Sequence, residues 1–208
     1  MVVVKIVGNI YKDTKMSKLS ISIMGHPSRQ IFFGWLRDTI GDCTIPISVD
    51  DGCGIIENNR RAWKMYDPKA DFHVVIQDDA IPCKNFKEKA EKILTDKSMA
   101  YNFYFGNRQK YKYLAELGMK KGHIISRWTS WGVAICLPIK IIPEMLEYTK
   151  TLKSRHDDTR IGHFLKHKGI KIYFPMPSLV DHRTGENSLV GDTSNRRKAW
   201  YFIDNENK

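Results

Sequence analysis

Apolar residues fall along this chain in short bursts, and the spacing inside each burst separates strands from helices. Leu19-Ser20-Ile21-Ser22-Ile23-Met24 alternates with period two and predicts a strand. It ends in Gly25-His26-Pro27-Ser28-Arg29, a turn that opens a helix with Ser28 as cap. Ile31, Trp35 and Leu36 then recur at helical spacing between Ile31 and Ile40. Thr44 to Val49 reads as a second strand, and Pro46 suggests a sheet edge. A helix over Ile55 to Tyr66 leads to the run His73 to Ile76, which is short, β-branched and bounded by polar residues, as a buried strand would be. Strand, helix, strand, helix, strand predicts a parallel α/β arrangement.

The second half is less regular. Phe86 to Leu94 reads as a helix and Tyr101 to Phe105 as a strand. Arg108 to Gly122 is basic and aromatic and reads as an exposed excursion. Trp131 to Pro138 predicts another buried strand. Pro143 to Leu152 and Thr159 to His167 predict helices, the second closed by Gly169, with a strand over Ile170 to Phe174 and a tail from Pro175. Residues 1–17 read as an extension or an extra strand ahead of one domain over 18–208.

Composition narrows the class. A chain of 208 residues has room for one ordinary domain with a sizeable core. No stretch reaches the roughly 20 apolar residues of a bilayer span, so no membrane span is expected. The start lacks a signal-peptide pattern. Cys43, Cys53, Cys83 and Cys136 show no CxxC spacing and read as free thiols of a reducing, cytoplasmic compartment. Positive and negative residues balance over 1–80, so the whole net charge of +11 falls on 81–208. A basic half of this kind suits a polyanionic partner, or is a solubilising lysine-rich surface.

The candidate chemistry starts at Val74-Val75-Ile76-Gln77-Asp78-Asp79-Ala80-Ile81-Pro82, where an apolar run ends in two adjacent carboxylates. Such acids repel each other and are costly to desolvate, so a buried pair calls for a cation. At the carboxyl end of a strand in an open α/β sheet they stand where ligands bind. Hard oxygen ligands there suit Mg²⁺ or Mn²⁺ with a substrate diphosphate, whereas a solvated acidic turn would need no partner. Asp50-Asp51 ends the second strand in the same way. Asp157-Asp158 sits at a helix start, where carboxylates either cap the helix or serve as a general base. His182 follows an apolar strand exit and is either a metal ligand or a polar surface residue. No GxxxxGK[ST] phosphate loop is present.

Taken in order, Ile76-Gln77-Asp78-Asp79-Ala80, Trp131-Gly132-Val133-Ala134-Ile135, Asp157-Asp158-Thr159-Arg160-Ile161 and Pro177-Ser178-Leu179-Val180-Asp181-His182 resemble the GT-A class of nucleotide-sugar glycosyltransferases. The likeness covers roughly residues 18–190 and points to small bacteriophage-type members. It implies a Rossmann-like, mixed, mostly parallel sheet flanked by helices, with a nucleotide-sugar half over about 18–80 and an acceptor half over about 81–208. It implies that Asp79, Asp78 and His182 hold Mn²⁺ or Mg²⁺. It places Gly25, His26, Arg29, Asp50, Asp51, Arg60 and Asp78 around a UDP-linked sugar donor, and makes Asp158 the base, with Asp157 as the other candidate. The pattern usually carries an acid where this chain has Gln77. The expected acceptor is a hydroxymethylated pyrimidine in phage DNA. Lys110, Lys112, Lys120, Lys121, Arg196, Arg197 and Lys198 would meet phosphates, interleaved with Tyr111, Tyr113 and Trp200. The competing readings are a protein or anionic-glycan acceptor, and a nucleic-acid-binding protein without enzymatic activity.

Overall fold

A computed structural model describes residues 16–129, 131–184 and 197–205. The chain lays down β1 (Leu19–Gly25), α1 (Ile31–Ile40), β2 (Ile47–Val49), α2 (Ile55–Lys64), β3 (Phe72–Gln77), β4 (Ala80–Pro82), α3 (Phe86–Ile93) and β5 (Ala100–Asn102). It continues with α4 (Lys112–Lys121), β6 (His123–Ser126), β7 (Ala134–Pro138), α5 (Ile142–Lys150), α6 (Asp157–His167), β8 (Ile172–Pro175) and β9 (Val180–His182). Seven strands form one sheet in the order β2-β1-β3-β7-β5-β8-β6. The pairs β2/β1, β1/β3 and β5/β8 are parallel, while β7 runs against β3 and β5, and β6 runs against β8. The small antiparallel pair β4/β9 stands apart.

Alternation along the strands builds a three-layer sandwich. Phe72, Val74 and Ile76 of β3 join Leu19, Ile21 and Ile23 of β1 on one face, against Leu36 and Ile40 of α1 and Phe86 and Ala90 of α3. Met24 and Val75 face the other way, toward Ala62 and Trp63 of α2, Met145 and Leu146 of α5 and Phe164 and Leu165 of α6. His73 is a polar member of that second face, fully buried beside Ser22 Oγ at 3.1 Å and the Ala62 carbonyl at 3.3 Å. Burial pushes its imidazole down to about 4. The unfolded chain takes up this proton near pH 6.5, so the neutral-imidazole contribution is complete above that value. It is lost as pH falls toward 4, and the full loss is about 3 kcal/mol. An NMR titration is expected to show His73 still neutral at pH 5.

Several expectations need correcting. Ser28 does not cap α1: it lies in a 3-10 turn, Pro27–Arg29, where His26 caps through its own side chain. Of the three apolar residues read along α1, only Leu36 is buried, while Ile31 and Trp35 stand 80% and 39% exposed. The excursion from Arg108 is mostly helix, because Ala115 and Gly118 bury one face of α4. The tail from Pro175 contains β9, whose three residues pair with β4. Pro46 does precede an edge strand, β2. The expected extension over 1–15 lies outside the described residues. Among the described residues no helix is long and apolar enough to cross a membrane, and Cys43, Cys53, Cys83 and Cys136 are free thiols.

Candidate functional site

The carboxyl ends of β1 and β3 lie side by side, because the two strands pair in parallel up to Met24 and Gln77. Asp78 and Asp79 therefore emerge next to the turn that follows β1. The Asp78 backbone N–H donates to the Met24 carbonyl at 3.0 Å, and the His26 backbone N–H donates to Asp78 Oδ2 at 2.7 Å. Arg29 Nη1 bridges the two acids, at 2.8 Å from Asp78 Oδ1 and 2.6 Å from Asp79 Oδ2.

His182 arrives from more than a hundred residues away. The β4/β9 register sets Ala80 against His182, and the Arg183 N–H donates to the Asp79 carbonyl at 2.8 Å. These contacts bring His182 Nε2 to 3.4 Å from Asp79 Oδ2. The other ring nitrogen, Nδ1, lies 2.7 Å from the Arg183 carbonyl, which fixes the ring when Nδ1 carries the proton. Both Asp79 and His182 are buried.

Burial pushes the Asp79 carboxyl up, but His182 and Arg29 outweigh it and hold the group below the usual carboxylate range. Burial wins at Asp78, which is raised despite Arg29, with the Asp79 charge adding to the rise. Two neighbouring acids are thus driven apart by their surroundings. Asp79 Oδ1 is buried with no hydrogen-bond partner. Such an atom costs roughly 1–3 kcal/mol or more and is the expected mark of a place where a ligand completes the set. Two carboxylates and an imidazole are by chemistry a donor set that suits Mn²⁺, while in this arrangement Arg29 stands between the acids and, among the described residues, the ligand atoms that close within 4.8 Å of one another are those of Asp50, Asp51 and Cys53 on the next loop.

A cleft of about 310 Å³ opens over this cluster, lined among others by Gly25, His26, Arg29, Asp50, Asn58, Gln77, Asp78, Asp79 and Arg197. Asp50 Oδ1 accepts from the Gly52 and Gly54 N–H groups and shapes the loop into α2. Asn58 ties α2 to the rim, donating to the Gly25 carbonyl at 2.9 Å and accepting from Ser48 Oγ at 2.6 Å. Asp51 and Arg60 were expected here but lie elsewhere. Asp51 is drawn to Arg61 at 3.0 Å, and Arg60 donates to the Leu146 carbonyl at 2.8 Å, locking α2 to α5.

Asp157 and Asp158 open α6 beyond Gln77. Gly132 touches all three: a Cβ there would stand 3.1 Å from Gln77 Nε2, 3.3 Å from Asp158 Cβ and 3.6 Å from Asp157 Oδ1. Gly132→Ala is expected to push the Gln77 amide and the Asp158 side chain aside while leaving the melting temperature near its original value, since it crowds the end of the sheet and not the core. A melting scan checks this. Asp157 is the buried member and accepts from Asn59 Nδ2 at 2.9 Å. Burial, with the Asp158 charge behind it, pushes its carboxyl up to about 6. Asp158 is half-buried and accepts from the Thr159 backbone N–H at 2.6 Å.

No family model and no curated protein matches the sequence. Solved structures do match by shape. GalNAc-T7 with UDP, GalNAc and Mn²⁺ aligns at a TM-score of 0.54 and 10% identity over 89% of this chain, which spans only 47% of that protein. A mutant Drosophila beta-1,4-galactosyltransferase 7 in complex with manganese, UDP-Gal and xylobiose aligns at 0.51 and 7% identity, covering 91% of this chain and 78% of that one. The fold is GT-A-like. At such low identity the likeness establishes architecture, and the chemistry rests on the residues described above.

Arg29, Asn58, Asn59, Gln77 and Arg197 carry more of the site than sequence reasoning gave them. In the sequence, Gln77 reads only as a departure from an acid, and Arg29 only as a donor contact. Two adjacent amides on a helix, Asn58-Asn59, were a readable signal, because buried amides need partners. Nothing local signalled the pairing of Arg29 with acids some fifty residues away.

Proposed function

We propose that this chain is a metal-dependent glycosyltransferase that moves a sugar from a nucleoside-diphosphate sugar, UDP-linked in the first instance, to a hydroxyl acceptor. The observation that carries the reading is the convergence of Asp78, Asp79 and His182 at the carboxyl ends of parallel strands, beneath a cleft lined by Gly25, His26 and Asp50. Asp79, Asp78 and His182 would hold Mn²⁺ or Mg²⁺. When bound, the ion supplies Lewis-acid stabilisation of the charge that grows on the departing nucleoside diphosphate.

The protein's own residues do the rest. The backbone around Gly25 and His26, with Asp50 and Asn58, borders the space for the nucleoside. Gln77 and Gly132 join that space to the start of α6. Asp158 takes the proton of the acceptor hydroxyl as its oxygen attacks the sugar's anomeric carbon. Asp157 acts through Asn59, fixing where the first turn of α6 stands against α2. The test is a panel of nucleotide sugars incubated with the protein, with and without Mn²⁺. Release of the nucleoside diphosphate that requires the metal supports the reading. No release and no transfer from any donor rejects it.

The acceptor side favours a polyanion, and a hydroxymethylated pyrimidine in DNA is the acceptor we propose. Lys110, Lys112, Lys120 and Lys121 are exposed on and before α4, beside Tyr113, and Arg197 lines the donor cleft with Lys198 exposed next to it. Tyr111 and Trp200 are packed into the second core cluster, so they leave the expected stacking surface to Tyr113. Arg196 lies outside the described residues. Binding to duplex DNA carrying the modified base should weaken steeply between 50 and 200 mM salt, by about 10³-fold if some six phosphates are met. Failure to bind duplex DNA in this salt-dependent way would favour the protein or anionic-glycan acceptor.

A further inference from the structure

Arg29 is a positive charge built into the place where the two strand-end acids meet. It is 6% exposed and sits in the 3-10 turn between β1 and α1, so its backbone is anchored at the lip of the cleft. A single nitrogen, Nη1, touches one oxygen of each carboxylate, at 2.8 and 2.6 Å. Asp79 Oδ1 has no partner, but a divalent ion held by both Asp79 and Asp78 would compete with the guanidinium for the space between the two carboxylates. The guanidinium also neutralises part of the acids' charge already. A divalent ion arriving alone would leave the cluster with excess positive charge in a buried setting, and an anionic diphosphate arriving with it would remove that excess. The neutral Gln77 at the cleft wall sharpens this balance, because it supplies no further negative charge to hold both cations.

We propose that Arg29 is a resident counter-cation that the divalent ion must displace, and that the donor's diphosphate takes up the displaced guanidinium. Metal and nucleotide then bind cooperatively, each weakly without the other. The inference rests on the glycosyltransferase reading above and assigns Arg29 a positioning and coupling role within it. An arginine suits the second post, since its planar fork matches phosphate oxygens, and its long side chain can swing from acids to diphosphate while the turn stays in place. Reciprocity follows from linkage: whatever factor UDP adds to metal affinity, the metal adds to UDP affinity.

The experiment measures Mn²⁺ binding to the full chain by the loss of the free-ion electron paramagnetic resonance signal, with and without UDP. It compares the parent protein, Arg29→Gln and Arg29→Lys. In the parent, UDP is expected to tighten Mn²⁺ binding by about tenfold or more. Arg29→Gln should bind Mn²⁺ without UDP about tenfold more tightly than the parent, yet bind UDP in the presence of Mn²⁺ about tenfold more weakly. Arg29→Lys, which keeps the charge, should stay near the parent in Mn²⁺ binding. Opposite changes for metal and nucleotide are not what general loosening of the site would produce. Removing the charge under two buried acids also threatens folding. If Arg29→Gln is unfolded without metal, recovery of its native circular dichroism on adding Mn²⁺ supports the proposal, and failure to recover overturns it. Equal Mn²⁺ affinity in the parent and Arg29→Gln, unaffected by UDP, overturns the coupling while leaving the transferase reading standing. No Mn²⁺ binding by the folded parent under any condition removes both.

Discussion

Asp79→Asn is expected to lower metal-dependent turnover by about 10³-fold or more, the several kcal/mol that Lewis-acid stabilisation of a leaving group contributes. The substitution keeps shape and removes charge. Asp79 is buried, is held ionised by His182 and Arg29, and leaves one buried oxygen, Oδ1, without a hydrogen-bond partner. An amide there cannot bind a hard cation with comparable strength. The fold should persist, because Arg29 retains Asp78 at 2.8 Å and β4 still pairs with β9. Two measurements check this. The rise in melting temperature that Mn²⁺ and UDP together give the parent protein should disappear in the variant. The far-ultraviolet circular dichroism should not change. A variant that keeps its metal-dependent turnover would remove Asp79 from the ligand set.

The second large effect lies at the start of α6, where adjacent carboxylates should respond in opposite ways. Asp158→Asn is expected to reduce turnover by about 10²–10⁴-fold with little change in stability, as loss of a general base does. Asp157→Asn should make the protein more stable at neutral pH. The Asp157 carboxyl titrates at about 6 in the folded protein against 3.8 for an ordinary aspartate. The folded state therefore holds a proton that the unfolded state has released. Its stabilising contribution is full below pH 4, falls as pH rises to 6, and stays lost above. The two-unit displacement corresponds to about 3 kcal/mol. An asparagine still accepts from Asn59 without a buried charge, so the variant should melt roughly 5 °C or more above the parent at pH 8. The gap should close at pH 4. Chemical denaturation at both values checks the sign.

The parts of this fold that were legible are those in which one physical rule acts alone. β1 and β3 declare themselves by alternation or by an uninterrupted β-branched run, and the Asp78-Asp79 pair stands out because burial cannot account for it. α4 was hidden because its exposed lysines and Tyr113 outweigh the two small residues, Ala115 and Gly118, that bury its inner face. β4 and β9 have three residues each, too few to show a period, and they exist because they pair with each other. The site shows the same limit. Asp50 could be placed from its position after a strand, whereas Asp51 and Arg60 went to partners of their own, Arg61 and the Leu146 carbonyl. A residue type says which partners it can have, and only the tertiary arrangement says which one it takes.

The ribbon formed by β4 and β9 has a consequence for how the protein comes into being. It joins Asp79 and His182 across a loop of about a hundred residues, so closing it is among the latest events open to a folding chain. A nascent polypeptide that has laid down β1 to β3 holds the acids and their arginine, but not yet His182. The pairing of His182 with Asp79 therefore waits for Val180–His182 to be made, whatever else of the sheet has already assembled.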